Sequence, residues 1–163
     1  EELSGTSRVN EKEVETVKNV LKYLKNSKGF EEYFNHWGKI KNDDKRLQEQ
    51  EIGIISFYGH QVKKLQDVRR YAQKDLGLPI RLKTVDKFQG MERNIIIVST
   101  VRSNKQYKEE RGKKIPIDNN KYPFALGFAR ELQRINVGFS RAKRLLIVVG
   151  NEKHGNHGTH GHD

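Results

Sequence analysis

The chain has 163 residues, 33% of them charged, with 32 Lys and Arg against 21 Asp and Glu for a net charge of +11. That length suits one domain with its own core, and the basic balance predicts an anionic partner, nucleic acid before membrane surface, or more plainly a solvated face. The absence of cysteine excludes disulfides and thiolate metal sites and fits an intracellular protein, while no apolar run approaches the ~18 residues of a membrane span and no signal peptide is visible, so neither a metal nor a membrane is expected.

The first residue is Glu1 rather than Met, as expected of an excised domain. Leu3 to Arg8 reads as the polar tail of a connection. Asn10 is placed to cap a helix, with Glu13 three residues on as in a capping box. Val14, Val17, Leu21 and Leu24 fall on one face of that helix, and Gly29 is expected to end it. Phe30, Tyr33, Phe34 and Trp37 are spaced for a short amphipathic helix, followed by the polar run Lys39 to Gln50. At that spacing a core stripe is favoured over a platform for stacking bases. Ile52 to Phe57 then reads as a buried strand. Tyr58-Gly59-His60-Gln61 turns into a helix with Val62, Leu65, Val68, Ala72 and Leu76 inward, stopped by Gly77.

Ile80 to Val85 leads into the polar turn Asp86 to Glu92, and the nearly unbroken apolar run from Asn94 to Val101 follows. That is strand, loop, and a strand buried on both faces, as in a covered parallel sheet. Ligand groups gather beyond the carboxyl ends of such strands. Gly90 would let a backbone approach a ligand closely, with Gln89 and Glu92 flanking it, although Asp, Gly and Glu also make ordinary turns. Ser103 to Tyr122 is a long basic connection, read evenly as a mobile loop or a nucleic-acid contact. Phe128, Leu132, Ile135, Phe139 and Ala142 repeat as a helical stripe, with Arg134 and Arg141 two turns apart and so on one face. Gly138 within that helix suggests a close approach. Leu145 to Val149 is the last strand. Strands at 52–57, 80–85, 94–101 and 145–149 between helices predict an α/β fold, a mostly parallel sheet with helices on both faces. The His-rich residues 152–163 can form no core and are read as a purification tag.

Two stretches carry a resemblance. Val85-Asp86-Lys87-Phe88-Gln89-Gly90-Met91-Glu92 runs into Ile96-Ile97-Val98-Ser99-Thr100-Val101-Arg102, and Arg134-Ile135-Asn136-Val137-Gly138-Phe139-Ser140-Arg141-Ala142-Lys143 lies downstream. Together they resemble motifs V and VI of superfamily 1 helicases, in the branch that includes the nonsense-mediated-decay and DNA-replication helicases. The likeness covers roughly residues 3 to 151, including the Gly-Thr-Ser stretch before Asn10. The family's Ile-Ile-Thr-Pro-Tyr-x-x-Gln stretch appears as Ile54-Ile55-Ser56-Phe57-Tyr58-Gly59-His60-Gln61, with Ser for Thr and Phe for Pro.

The resemblance implies the second RecA-like domain, over residues 1–151, of an ATP-dependent motor that grips single-stranded nucleic acid. Arg141 would be the arginine finger, a task that suits a permanently charged guanidinium able to bond two oxygens. Gly90 and Glu92 would meet the nucleotide at the same cleft, with Arg134 on the same helix face, and Gln89 would link the nucleotide to the strand-gripping loop. Ser56, Tyr58, Gln61, Thr84 and Arg102 would hold the strand; hydroxyls suit this because they bind the phosphate backbone without reading sequence. ATP and Mg²⁺ would be held mainly by the first RecA-like domain of the same chain, because nothing here matches G-x-x-x-x-G-K-[ST]. No strand ends in an Asp-Glu pair, and the family's Gln-Tyr-Arg-Met stretch is absent too. The alternative is a stand-alone basic α/β module that binds nucleic acid or protein without hydrolysis. On that reading Arg141 is a surface charge at a helix end and Glu92 its partner.

Overall fold

The computed structural model describes residues 9–101, 107–116 and 133–150. The expectations for Leu3 to Arg8, Arg102, Phe128, Leu132 and the His-rich tail lie outside them.

The first helix, α1 (Glu11–Asn26), begins where Asn10 Oδ1 accepts the N–H of Glu13 at 3.2 Å. It stops earlier than expected. Ser27 takes an extended conformation, and its hydroxyl donates to the carbonyl of Leu24 at 2.9 Å, satisfying an end carbonyl that a glycine turn would otherwise serve. Gly29 therefore lies inside α2 (Lys28–Gly38) rather than ending α1. In α2 the Phe30 ring is buried, with the Tyr33 and Phe34 rings each 5.8 Å away and packed against the core, while Trp37, the last of the stripe, is half-buried outside that cluster. The polar run after it also forms a helix, α3 (Asp43–Gln50), capped by Asn42 Oδ1 on the N–H of Lys45. No residue of α3 is buried, so it carries no apolar periodicity to read. Tyr33 donates its hydroxyl to the carbonyl of Glu49, and Gln50 its amide to that of Phe34, fastening α2 to α3.

Then come β1 (Ile52–Ser56), α4 (Gly59–Asp75), β2 (Ile80–Thr84) and β3 (Arg93–Ser99). After β3 lie β4 (Tyr107–Glu110) and β5 (Lys113–Pro116), described helical residues 133–139 (α5), and β6 (Ala142–Val149). The sheet runs β2-β1-β3-β6 with every pair parallel, Ile52 opposite both Ile80 and Ile95, and Ile97 opposite Ile147. β6 opens at Ala142, ahead of the expected Leu145: Ala142 pairs with Arg93, and the exposed polar Lys143 and Arg144 after it give no apolar run to read.

Alternation along the strands divides the core in two. Ile52, Ile54, Ile95 and Ile97 face one side, against Val17, Leu21, Leu65, Val68 and Ala72 of α1 and α4. Ile55, Ile96 and Val98 face the other, against Val85 and Phe88, with Ile135, Val137 and Phe139 of α5 packed on. Chirality explains the division. The chain moves from β1 to β2 in one direction and from β2 back past β1 to β3 in the other. Right-handed crossovers then place the two connections on opposite faces. The path from β3 to β6 continues in the second direction and places α5 beside the β2–β3 connection. This is the expected RecA-like α/β sheet with helices on both faces.

The basic connection is not structureless. β4 and β5 pair antiparallel around Arg111 (φ 52°) and Gly112 (φ 74°). Two successive positive φ values mark the hairpin turn whose twist matches its strands. Among the described residues no helix is long and apolar enough to cross a membrane.

Candidate nucleotide and nucleic-acid site

The connection from β2 to β3 crosses the sheet in eight residues, without a helix. It folds as successive turns: the N–H groups of Phe88, Gln89 and Met91 reach the carbonyls of Thr84, Asp86 and Phe88. Phe88, fully buried, pins it to the sheet over Gly53. A Cβ on Gly53 would stand 2.9 Å from Phe88 Cζ and collide with Ile96 Cδ1, so only glycine admits the ring. Gly90 has φ +80°, and a Cβ there would meet nothing within 4 Å, so its turn requires glycine for conformation and not for space.

Beside this crossover runs α5, opposite in direction to the strands. At its first described turn the Arg134 guanidinium lies 5.6 Å from the Phe57 ring centroid, donates to the Phe57 carbonyl and stands 3.4 Å from Asp86 Oδ2. Val85, Asp86, Gln89, Gln133, Arg134 and Val137 line a cleft of about 270 Å³. Arg141 lies beyond the other end, in the turn before β6, where its Nε donates to the Val137 carbonyl at 3.1 Å and its Nη2 to Ser140 Oγ at 3.0 Å. The expectation that Arg134 and Arg141 share one helix face is therefore corrected: the helix stops at residue 139, and the two guanidiniums serve opposite ends of the sheet. Gly138 is buried, but a Cβ there would be at ordinary contact, 3.5 Å from Val85 Cγ2.

At the amino ends of the strands, Arg93 donates its main-chain N–H to the Arg141 carbonyl at 3.0 Å. Exposed Glu92 is covalently next to Arg93, so Glu92 and Arg141 are neighbours here. Arg93 Nη1 also donates to the Glu92 carbonyl at 2.7 Å, while its Nε and the Nε of Arg81 reach the same Glu51 oxygen at 2.9 and 3.0 Å. Glu51 and Arg93 are buried. Neither stands out in the sequence. The available signal was opposite charges at or beside the starts of neighbouring strands, Glu51 just before β1, Arg81 second in β2 and Arg93 first in β3, readable only once the strand register is known.

At the carboxyl ends, two of the strand-holding candidates are corrected. Ser56 and Gln61 are both wholly enclosed. Gln61 Oε1 accepts the Asn10 N–H at 2.9 Å, and its Nε2 donates to the Asn10 carbonyl and to Ser99 Oγ, each at 3.1 Å. That uses the whole amide internally and leaves it no group for a phosphate. Thr84 and Tyr58 are half-buried at this edge, and Tyr58 precedes α4 without a side-chain cap. Glu13 and Ser99 complete the buried network here, and nothing in the local sequence marks them for it.

The donor set at the amino edge suits a phosphate-bearing ligand: Arg141 meets no carboxylate among the described residues, and Glu92 is free to project. No group of three His, Asp or Glu that could hold a metal ion occurs among the described residues.

Comparison with known proteins agrees with the motifs. An AAA domain family model matches residues 1–153. The chain is 35% identical to the putative helicase MOV-10 of Gallus gallus over 156 residues, 92% of this chain and 14% of that protein. It is 38% identical over 106 residues to the DNA polymerase alpha-associated DNA helicase A of Saccharomyces cerevisiae, covering 64% of this chain and 13% of the relative. The ATP-dependent helicase NAM7 of the same yeast is 32% identical over 110 residues, 66% of this chain and 10% of its own length. The chain thus spans only a small part of each relative's length. The parallel sheet, the motif V crossover and the motif VI helix agree with these matches, and the chain belongs to the AAA domain family of superfamily 1 helicases.

Proposed function

We propose that residues 1–151 form the second RecA-like domain of an ATP-dependent superfamily 1 helicase, with Arg141 as its arginine finger. Bound ATP with Mg²⁺ would supply the phosphoanhydride bond, held mainly by a first RecA-like domain of the same polypeptide. Arg141 would neutralise charge on the terminal phosphoryl group from across the cleft. Glu92 would orient the nucleotide beside it. Thr84, Tyr58 and Arg102 would meet a single strand of DNA or RNA at the other end of the sheet. Gln89 and Arg134, in the cleft between the crossover and α5, join the two ends.

The observation that carries the reading is the juxtaposition of Glu92 and Arg141 through the Arg93–Arg141 main-chain hydrogen bond. It brings the nucleotide candidates of two separate motifs to one edge. Arginine fingers supply roughly 10³–10⁵ in rate, and lysine keeps the charge but not the planar fork. The test is nucleic-acid-stimulated ATPase of Arg141→Lys and Arg141→Ala in the complete helicase polypeptide. Both should lose kcat by at least about 10²-fold, with single-strand affinity nearly unchanged. Wild-type turnover in the lysine variant would remove Arg141 from the mechanism.

A further inference from the structure

Phe57 follows β1 directly, at the position where the helicase motif has proline. A proline would fix the backbone there but offer no aromatic face. The phenylalanine ring does offer one, and it is buried in the apolar cluster against which α5 packs. The Arg134 guanidinium lies 5.6 Å from the ring centroid, and a Cβ on Gly138 would stand 3.8 Å from both Cε1 and Cζ. Residues 134 and 138 are one helical turn apart and share a face. The ring therefore lies along that turn of α5, and at Gly138 it faces the helix backbone.

The end of the same turn holds Arg141. The Gly138 carbonyl accepts the Arg141 main-chain N–H at 3.3 Å, and the adjacent Val137 carbonyl accepts its Nε at 3.1 Å. At the start of the turn Arg134 donates to the Phe57 carbonyl and stands 3.4 Å from Asp86 Oδ2. Phe57 thus meets α5 twice, with its carbonyl at Arg134 and with its ring from Arg134 to Gly138. The other apolar contacts of α5, through Ile135, Val137 and Phe139, are partly buried and non-directional. They hold the helix down without fixing its place along the sheet. A hydrogen bond and a guanidinium set over a ring do fix it.

We propose that Phe57 is a positioning residue for Arg141: its ring and carbonyl set the place of α5 along the sheet, and the end of α5 holds the Arg141 backbone and guanidinium. This rests on the helicase reading above. Phe57 touches no reacting atom and acts only through the helix. Distance is no obstacle to such an effect, because a misplacement of about 1 Å that begins far from the chemistry can cost about 10²-fold in rate. The aromatic side chain in place of proline gives this chain a seat for α5 that the motif's usual residue would not provide.

The test uses the complete helicase polypeptide, ATPase titrated with single-stranded RNA and DNA oligonucleotides, and fluorescence anisotropy with the same strands labelled. Phe57→Leu keeps an apolar side chain but removes the aromatic face. It should lower kcat at saturating strand about three- to tenfold, with KM for ATP and strand affinity within about twofold of wild type. Phe57→Met, a second ringless variant flexible enough to fill the gap, should show the same loss. Phe57→Tyr keeps the face and should restore kcat to within about twofold. Ile55→Val thins the same apolar cluster while leaving the ring and guanidinium as they are, and should turn over as wild type does. Wild-type kcat in either ringless variant, equal losses in Phe57→Leu and Ile55→Val, a loss confined to strand affinity, or failure of both ringless variants to fold would each overturn the inference. Arg141→Ala, assayed alongside, separates the two readings. If it lowers kcat while the ringless variants do not, the helicase reading stands and only the role of Phe57 falls. If Arg141→Ala turns over as wild type does, the finger reading falls and this inference with it.

Discussion

Arg93 and Arg141 are joined main chain to main chain, N–H to carbonyl at 3.0 Å, so the residue that opens β3 is tied to the one that precedes β6. The proposed arginine finger thus springs from the edge of a four-stranded sheet rather than from a free loop. Its guanidinium is further oriented by bonds to the Val137 carbonyl and Ser140 Oγ, and a side chain held by such bonds is suited to present a fixed fork to a phosphate.

The buried Glu51–Arg93 pair under that edge should matter to the whole fold. Removing one member of a buried ion pair strands the other, at about 3–5 kcal/mol. Glu51→Ala is expected to lower denaturation stability by an amount in that range. Arg81→Ala should cost less than about 1 kcal/mol, because its side chain is 41% exposed. Urea titrations of both variants measure the contrast, and equal losses would contradict it.

Gly53→Ala tests the seat of Phe88. The added methyl would overlap Ile96 and crowd the Phe88 ring, and overpacking of this kind costs about 1–3 kcal/mol. Because Phe88 anchors the crossover, the stability loss should be accompanied by weaker nucleic-acid-stimulated ATPase. A variant as stable as wild type would show that the crossover adjusts freely.

Glu13 predicts a pH signature. Burial raises its pKa above the usual glutamate value, against the lowering pull of the Val101 N–H and the Ser99 hydroxyl. A carboxyl raised in the folded state favours folding while protonated. Its contribution is full below the unfolded value of about 4.3 and is lost as pH rises through the folded value. Wild-type stability relative to Glu13→Gln should therefore fall as pH increases across that window and then level off. Chemical denaturation at a series of pH values reads the difference directly, and a flat difference would refute the assignment.

Strand binding should be sensitive to salt and indifferent to sequence. Each phosphate neutralised on a single strand contributes a slope of about −0.7 in log affinity against log salt. Charge-removing substitutions at true phosphate contacts should reduce the slope, whereas Gln61→Ala should leave it unchanged, because that amide is engaged internally. Affinity flat from low to physiological salt would argue against phosphate contact.

The amino-acid sequence alone determined the elements with strong apolar patterning and the family. Ile52 to Ile55 and Ile95 to Val98 are buried on both sides of a sheet, as unbroken apolar runs require. The motif spacing around Gly90 and Arg141 was also readable, because close local patterns need no partner to be seen. What the sequence did not reveal depends on neighbours remote in the chain. α3 buries no residue and so leaves no periodic trace. Ser56 and Gln61 look like hydrophilic contacts until the fold buries both, Gln61 with its amide on the backbone of Asn10. Glu13 reads as half of a capping box, yet a glutamine 51 positions from Asn10 takes that role and frees it to hold Val101. Hydrogen-bond partners are chosen by proximity in space, and a polar side chain carries no mark of which distant donor will reach it first.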